Sequence, residues 1–156
     1  ENNDGVENLR LVGIQRRGVT LAKMLREMIE QVEGVKLPLG VLDITFYRDD
    51  LSILSEHPVV NATDLPFQVQ DARIVMVDDV LFSGRTARAA MDAICDMGRP
   101  SCIQLAVMVD RGHRELPIRA DYVGKNLPTS KNELVGVRVP EFDGDMSVVL
   151  YDKRSE

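Results

Sequence analysis

The stretch that decides the fold is Ile74-Val-Met-Val-Asp-Asp-Val-Leu-Phe-Ser-Gly-Arg-Thr86. A strand buried on both faces is predicted at 73–78, because a continuous apolar run suits a parallel sheet covered by helices. Two aspartates follow, and a Ser-Gly-Arg-Thr turn leads into a helix predicted from about Thr86 to Met97, before Gly98 and Pro100. The segment therefore predicts a strand, a polar turn and a helix in direct succession.

The flanking sequence continues this alternation of strands and helices. Apolar runs predict further strands at 9–14, 39–45 and 103–109. Apolar residues at three- and four-residue steps predict a helix over 19–32, and the acidic, Pro- and Asn-containing stretch 48–72 predicts a long loop. The fold class expected is α/β, a doubly wound, mainly parallel sheet flanked by helices in a single domain spanning 1–156. Shorter strands around 122–124, 135–139 and 146–151 predict a small appended β subdomain.

Composition limits the classes of protein to consider. The 156 residues carry a formal net charge of -6, which argues against a general nucleic-acid coat. No apolar run is long enough to span a membrane, and no signal peptide is evident, so we expect a cytoplasmic protein without a membrane partner. The two cysteines, Cys95 and Cys102, lack metal-ligand spacing and are expected to be small buried residues.

The residues after the central strand suit a phosphorylated ribose. Carboxylates at the end of a strand, here Asp78 and Asp79, can accept hydrogen bonds from vicinal ribose hydroxyls. Gly84 lets a ligand approach the backbone, while Ser83 and Thr86 offer hydroxyls. The helix that follows presents N–H groups to a phosphate. Acids for sugar hydroxyls beside an anion cradle predict a ribose-5-phosphate site.

The strand-end acids by themselves are compatible with other kinds of site. An apolar strand that ends in Asp-Asp also occurs in Walker-B strands and in phosphoacceptor domains. No Gly-x-x-x-x-Gly-Lys-Ser/Thr loop is present in the chain, which excludes a P-loop. The acids also run directly into a phosphate-cradling turn, which argues against a phosphoacceptor aspartate.

Ile74–Thr86 resembles the phosphoribosyl diphosphate (PRPP) motif of type I phosphoribosyltransferases. Further stretches are similar to the PyrR family, bifunctional pyrimidine-operon attenuation proteins with uracil phosphoribosyltransferase activity. These stretches are Asp43-Ile-Thr-Phe-Tyr-Arg-Asp-Asp-Leu51, Gly98-Arg-Pro-Ser101, Gln104-Leu-Ala-Val107, Val109-Asp-Arg-Gly-His-Arg-Glu-Leu-Pro-Ile-Arg-Ala-Asp-Tyr122 and Gly124-Lys-Asn-Leu-Pro-Thr-Ser-Lys131. The resemblance extends from about Leu9 to Tyr151. Family members carry a helical segment before the first strand, and we expect this chain to lack it.

The resemblance implies transfer of the phosphoribosyl group from PRPP to uracil, which gives UMP and diphosphate. Mg²⁺ is expected, bound mainly through the diphosphate and the ribose hydroxyls. The implied catalytic residues are Asp78, Asp79 and Arg111. The implied substrate-binding residues are Arg16, Arg17 and Gly18 for the diphosphate, Arg48 in a closing loop, Val80, Leu81 and Phe82 beside the acids, Ser83, Gly84, Arg85 and Thr86 for the 5-phosphate, and Val135 near the pyrimidine.

A second function, RNA binding, is predicted on a different basis. The segment Arg111–Lys131 holds five Lys or Arg against two Asp or Glu, a local charge of +3 in an acidic chain. From composition alone, such a face is more often simply solvated. The family resemblance favours a pyrimidine-operon leader mRNA as the partner, with binding promoted by the uridine nucleotides UMP and UTP and with a homodimer or higher oligomer. The predicted RNA contacts are Arg114, Arg119, Lys125 and Lys131.

The choice of nucleobase stays open at this point. A phosphoribosyltransferase for another base, such as a purine, without an RNA-binding role is the alternative. Competition among uracil, hypoxanthine and guanine separates the two.

Overall fold

A computed structural model describes residues 5–49, 52–130 and 132–152, and leaves the side chains of 46–49, 52–59, 141–142 and 152 undescribed. The elements in chain order are β1 (Leu9–Ile14), α1 (Arg17–Glu33), β2 (Leu39–Asp49), β3 (Ser52–Asp64), β4 (Arg73–Leu81), α2 (Arg85–Met97), β5 (Cys102–Asp110), β6 (Tyr122–Asn126), β7 (Glu133–Arg138), α3 (Pro140–Asp143) and β8 (Ser147–Asp152). The predicted alternation of strands and helices is confirmed.

The main sheet has six strands in the order β3-β2-β1-β4-β5-β6. All neighbours pair in parallel except β2 and β3, which are antiparallel. The chain runs from β1 outward to β2, then returns to place β4 on the other side of β1. Strand order therefore reverses between β1 and β4, and this is where an open α/β sheet forms a crevice for a ligand.

The two long helices lie on opposite faces of this sheet. Successive residues of a strand point to opposite faces, and the two hydrophobic clusters follow that alternation. One cluster joins Ile74 and Met76 to Ile94 of α2, while the other joins Val75 and Val77 to Leu21 of α1. The predicted doubly wound architecture is confirmed, because β4 is buried on both sides.

A small two-stranded antiparallel sheet follows the main one. Strands β7 and β8 pair from Glu133↔Asp152 to Arg138↔Ser147, and α3 connects them. We call β7, α3 and β8 the hood. Val137 and Val139 of the hood are almost fully buried in the cluster on the α1 side of the sheet. The predicted appended β subdomain is thereby confirmed, and its core is continuous with that of the sheet.

The loop predicted over 48–72 is wrong for most of its length. β2 continues to Asp49, and Ser52–Asp64 returns beside it as β3, so that a β-hairpin stands where a loop was expected. β3 is the edge strand of the sheet, and an edge position tolerates Pro58 because its missing N–H is not needed by a further strand. The irregular segment between β3 and β4 is confined to 65–72.

The expected burial of the cysteines is also wrong. Cys95 lies on α2 and Cys102 begins β5, and both are exposed. They flank the connection between α2 and β5, near the amino-terminal edge of the sheet. Whether these two positions are buried depends on where the connection between α2 and β5 lies in the fold. The residue type alone does not predict this.

An apolar groove of about 650 Å³ lies on the α1 side of the sheet. Met24 and Met28 of α1 form one wall, and Met108 and Tyr122 of β5 and β6 form another. Asp78 borders the same groove, which therefore lies next to the acids of β4.

Within the described residues, no helix is long and apolar enough to cross a membrane.

Candidate active site

The acid pair Asp78 and Asp79 lies at the point where the strand order reverses. The ladder between β1 and β4 ends at Gly13↔Val77, so the acids are the first residues of β4 beyond it. The turn after β1 begins at the same level, because the N–H of Gln15 donates to the carbonyl of Leu42 at 2.8 Å. The predicted meeting of the Gln15–Gly18 turn and the acid pair at one sheet edge is therefore confirmed.

Two glycines bring the first turn of α1 directly against the sheet. A Cβ on Gly18 would lie 2.5 Å from the carbonyl oxygen of Val77 and 3.1 Å from Cα of Asp78. A Cβ on Gly13 would lie 2.6 Å from Cα of Val19. Only hydrogen side chains fit these contacts, and they place the start of α1 against the backbone of the acid pair. The Gln15–Arg16 peptide bond immediately before α1 is cis.

The acid pair is held by its own backbone. Oδ1 of Asp78 accepts the N–H of Asp79 at 2.8 Å, and Oδ1 of Asp79 accepts the N–H of Val80 at 2.8 Å. Burial raises the pKa of the Asp78 carboxyl well above its ordinary value, and the charge of Asp79 raises it further. A ligand that brings hydroxyl donors or a cation to this pair stabilises its ionised form.

The turn after β4 holds the residues of the predicted anion cradle. Gly84 adopts a φ of +94°, a left-handed conformation that favours glycine, and caps α2 without a side-chain hydrogen bond. Oγ of the buried Ser83 accepts the N–H of Arg85 at 3.2 Å. Thr86 lies in the first turn of α2. The N-terminal turn of a 13-residue helix and two hydroxyl-bearing residues thus lie within four consecutive positions, a combination suited to a phosphate.

The segment from Asp110 to Ile118 is bonded to this cradle along its length. The N–H groups of Glu115 and Leu116 both donate to the carbonyl of Ser83, at 2.9 and 3.1 Å. The N–H of Arg111 donates to the carbonyl of Leu81 at 3.1 Å. The turn predicted to hold the phosphate is therefore braced by backbone hydrogen bonds from the loop that follows β5.

Arg114, predicted to contact RNA, is placed inside this brace. Its Nη2 donates to Oδ2 of Asp110 at 2.7 Å, Nη1 to the carbonyl of Phe82 at 2.8 Å, and Nε to the carbonyl of Ile118 at 2.7 Å. The Arg114 guanidinium holds the pKa of the Asp110 carboxyl below its ordinary value against the opposing effect of burial. The RNA role of Arg114 stays a prediction, and the structure assigns the side chain a clear internal one.

Arg111, predicted to be catalytic, is almost fully buried. Its Nε donates to Oγ1 of Thr129 at 3.1 Å, and its Nη2 to the carbonyl of Glu133 at 2.6 Å. The guanidinium also lies 4.3 Å from the ring centroid of Phe82. Arg111 thus joins the turn after β4 to the start of the hood, and its contact with a nucleotide stays a prediction.

The two arginines of the turn predicted to bind the diphosphate differ in their surroundings. Arg16 is exposed, whereas Arg17 is half-buried and forms a two-point ion pair with Asp143 of the hood.

Asp143, Asp110 and Glu115 were not predicted as site residues. Asp110 follows a predicted strand, which was the available signal, but nothing local to Asp143 or Glu115 indicates their distant partners.

The remaining predicted residues lie at several places. Arg48 is on β2, with its side chain outside the described part of the chain, and Lys131 falls wholly outside it. Val135 is on β7, packed against the cluster on the α1 side, as is Val80 of β4. The other placements are: Arg119 exposed before β6, Lys125 exposed on β6, Leu81 buried at the end of β4, and Phe82 exposed in the turn.

The oxygen ligands that the site offers determine whether it could hold Mg²⁺. Among the residues described, no group of three or more His, Cys, Asp or Glu side chains is placed to hold a metal ion. The acid pair offers carboxylate oxygens, which suit Mg²⁺ when a ligand supplies the other oxygens. The residues present therefore fit an ion that arrives with a phosphorylated substrate.

Comparison with known proteins gives concordant results. Residues 1–141 match the family model described as "Phosphoribosyl transferase domain". A Bifunctional protein PyrR from Caldicellulosiruptor bescii is 69% identical over 150 residues, which cover 96% of this chain and 82% of that protein. The Deinococcus radiodurans protein of the same name is 57% identical over 152 residues, covering 97% and 83%.

Solved structures share the fold at low sequence identity. A hypoxanthine phosphoribosyltransferase from Staphylococcus aureus superposes with a TM-score of 0.71 at 15% identity, covering 99% of this chain and 81% of that one. A purine phosphoribosyltransferase from Pyrococcus horikoshii gives 0.59 at 24% identity, covering 76% and 70%. These likenesses establish the fold alone. The family model and the relatives establish more, because the chain belongs to the phosphoribosyl transferase domain family and, within it, to the bifunctional PyrR proteins.

Proposed function

We propose that this chain transfers the phosphoribosyl group of PRPP to uracil, giving UMP and diphosphate, and attenuates transcription by binding pyrimidine-operon leader mRNA in the cytoplasm. The observation that carries the enzymatic part is the acid pair Asp78–Asp79, which lies between an anion cradle and an arginine-bearing turn where the strand order reverses. Membership of the bifunctional PyrR family supports the combination with regulation.

The ribose and its 5-phosphate bind along the β4–α2 unit. Asp78 and Asp79 accept hydrogen bonds from the 2- and 3-hydroxyls, and Ser83–Thr86 surround the phosphate with N–H groups, hydroxyls and the guanidinium of Arg85. The support for this orientation is the chain order, because the acids precede the cradle by only a few residues. Val80, Leu81 and Phe82 form the wall between the two.

The diphosphate binds at the turn before α1. Negative charge develops on this leaving group as the glycosidic bond breaks, and Arg16, Arg17 and the N–H groups beside Gly18 stabilise it. Mg²⁺ arriving with PRPP would be held with the help of the carboxylate oxygens of Asp78 and Asp79, and it would supply further neutralisation of the diphosphate charge. Arg48 and its hairpin close over the bound PRPP, and water is excluded from the reaction.

The base is placed beside the hood. Val135 lies near the pyrimidine, and Arg111 contributes by fixing Phe82 and the residues that enter β7. The rate of such a transfer depends largely on how the reactants are oriented. A buried arginine that fixes both sides of the base site therefore contributes to catalysis without taking part in bond making or breaking.

Leader mRNA binds the basic segment after β5. Arg119 and Lys125 are exposed there, which supports phosphate contacts, and Lys131 extends the same segment in sequence. Arg114 links this surface to the phosphate cradle through Phe82, so occupancy by UMP or UTP is communicated to the RNA face. A homodimer would double the basic surface available to the RNA stem-loop.

The enzymatic proposal is tested with purified protein, labelled uracil, PRPP and Mg²⁺. Formation of UMP that depends on all three components is the expected result. Competition by unlabelled uracil, hypoxanthine and guanine decides the nucleobase part of the alternative, a transferase for another nucleobase without an RNA role. Transfer to a purine in preference to uracil would establish that alternative instead.

The regulatory proposal is tested by gel-shift titration with a pyrimidine-operon leader stem-loop. Binding is expected to strengthen with UMP and to weaken as salt rises, since phosphate contacts release counterions. Arg119→Ala and Lys125→Ala each reduce the salt dependence, and Lys23→Ala on the exposed face of α1 is the matched control. Equal binding of a scrambled stem-loop, with or without UMP, removes the regulatory function.

A further inference from the structure

The ion pair between Arg17 and Asp143 joins the diphosphate turn to the hood across 126 positions of sequence. Nη2 of Arg17 donates to Oδ1 of Asp143 at 2.9 Å, and Nε donates to Oδ2 at 3.2 Å. The side chains are 33% and 16% exposed, respectively. Two parallel hydrogen bonds to one carboxylate orient the guanidinium plane as well as neutralising its charge.

Asp143 is itself held by the hood. Its Oδ2 accepts the N–H of Val139 at 2.9 Å, while its own N–H donates to the carbonyl of Val139 at 2.8 Å. Val139 is fully buried in the sheet core, and Arg138 donates to the carbonyl of Asp143 at 3.1 Å. The carboxylate is therefore a fixed acceptor rather than a rotating surface group.

Arg17 occupies a position between this carboxylate and the acid pair. It is the first residue of α1, and its neighbour Gly18 contacts the backbone of Val77 and Asp78. The hydrogen bond that Arg17 donates to Asp143 raises the pKa of Arg17, and the charge of Asp79 acts in the same direction. The orientation of the guanidinium at the diphosphate end is thus set from the hood side.

We infer that Asp143 is a positioning residue, which holds the Arg17 guanidinium in its working orientation before PRPP arrives. This inference rests on the proposed function of the site. Two opposing effects are at stake. Because Asp143 already orients Arg17, less side-chain entropy is lost when PRPP binds. The negative charge of Asp143, however, repels the diphosphate. Because the pair is bidentate and Asp143 is fixed by the backbone, orientation outweighs repulsion.

The test is equilibrium binding of PRPP, with Mg²⁺ and without uracil, to the full chain. Asp143→Asn is expected to weaken PRPP binding about tenfold, as misplacement of one positioned group does. Asp145→Asn is the matched control, because it removes the hood ion pair with Arg138 and leaves Arg17 untouched. Asp143→Glu restores part of the affinity.

A double-mutant cycle separates positioning from general support of the fold. In an Arg17→Ala background, Asp143→Asn should cause no further loss of PRPP affinity, since its action passes through Arg17. Additive losses, equal losses in Asp145→Asn, or tighter binding by Asp143→Asn would each overturn the inference. If Asp143→Asn fails to fold, Asp143→Glu is measured in the same cycle, and an additive loss there overturns it equally. Wild-type protein that binds no PRPP would overturn the proposed function itself, together with this inference.

Discussion

The proposed phosphate end of the site, Ser83–Thr86, and the proposed diphosphate end, Arg16–Gly18, lie on the same sheet edge but are held by different interactions. Backbone hydrogen bonds from Glu115 and Leu116 fix the carbonyl of Ser83. Arg114 donates to the carbonyl of Phe82 in the same turn and is itself held by Asp110 and Ile118. The diphosphate end is held by close glycine contacts and by the two-point ion pair of Arg17 with the hood. One end is preformed by the sheet's neighbouring loop, whereas the other depends on the hood.

The acid pair between the two ends should give the largest effect. Asp78→Asn with Asp79→Asn removes the anionic acceptors for the ribose hydroxyls, and kcat/KM for PRPP should fall by about 10²–10³-fold. Steady-state kinetics of UMP formation measure it. A loss below tenfold would mean that the two ends of the site suffice without the acids between them.

The same pair should show an opposite effect on stability. The pKa of Asp78 is raised in the folded chain, so its contribution to stability is complete below about pH 3.9 and is lost as pH rises through the folded pKa. Asp78→Asn should therefore raise Tm at pH 7.5 by about 2–4 °C, and by less at pH 4.5. Thermal unfolding without ligand at both pH values measures it, and a gain that is equal at both would contradict the assignment.

Gly18→Ala probes the diphosphate end. The added Cβ would lie 2.5 Å from a backbone carbonyl, so α1 must move away from β4, at about 1–3 kcal/mol of unfolding free energy. Urea unfolding measures that loss, and PRPP titration should show weaker binding in the same variant. Lys23→Ala, exposed on the same helix, is the control. Unchanged stability and affinity would show that the close approach of α1 is not required.

Arg114→Met probes the phosphate end. It removes three hydrogen bonds around the turn, and the KM for PRPP should rise about tenfold, because hydrogen bonds from a charged donor contribute about 1.5–3 kcal/mol. Arg99→Met, at an exposed arginine beyond the end of α2, should leave KM unchanged. Equal KM values in the two variants would mean that the backbone hydrogen bonds alone preform this end.

Glu115→Gln should give the smallest effect. It breaks the ion pair with Arg85, in which the side chains are 43% and 50% exposed, and exposed pairs contribute about 0–1 kcal/mol. Thermal unfolding should differ little from wild type, whereas a larger loss would show that the side chain of Glu115, and not only its backbone N–H, braces the turn.

Most of the sheet and the position of the site followed from local patterns. The strand–turn–helix unit at Ile74–Thr86 combines an apolar run, two acids and a glycine, and each of these carries its meaning within a few residues. The hairpin of β2 and β3 did not follow, because its strands contain Asp, Asn, Glu and Pro, which have low β propensity. Their stability comes from pairing with each other, and composition does not report pairing.

The hydrogen bonds and ion pairs that connect the site residues could not be predicted from the sequence either. The sequence predicts Arg114 to be a basic surface residue. In the structure its guanidinium donates hydrogen bonds to the carbonyls of Phe82 and Ile118. Arg17 matched the family's diphosphate turn, but its partner Asp143 lies on the hood and belongs to no local motif. Such contacts arise from tertiary packing, and only their endpoints are visible in the sequence.

The β2–β3 hairpin has a consequence for the motions of the chain. β1 pairs with β2 only as far as Leu42, so that from Thr45 to Asp49 β2 has β3 as its sole partner among the described strands. A two-stranded ribbon is marginally stable by itself. The outer amides of the hairpin should therefore exchange with deuterium well before those of β1 and β4, as a separate opening unit. PRPP beneath a closed hairpin would slow that exchange, so solvent exchange at one edge of the sheet becomes a direct measure of how often the site opens.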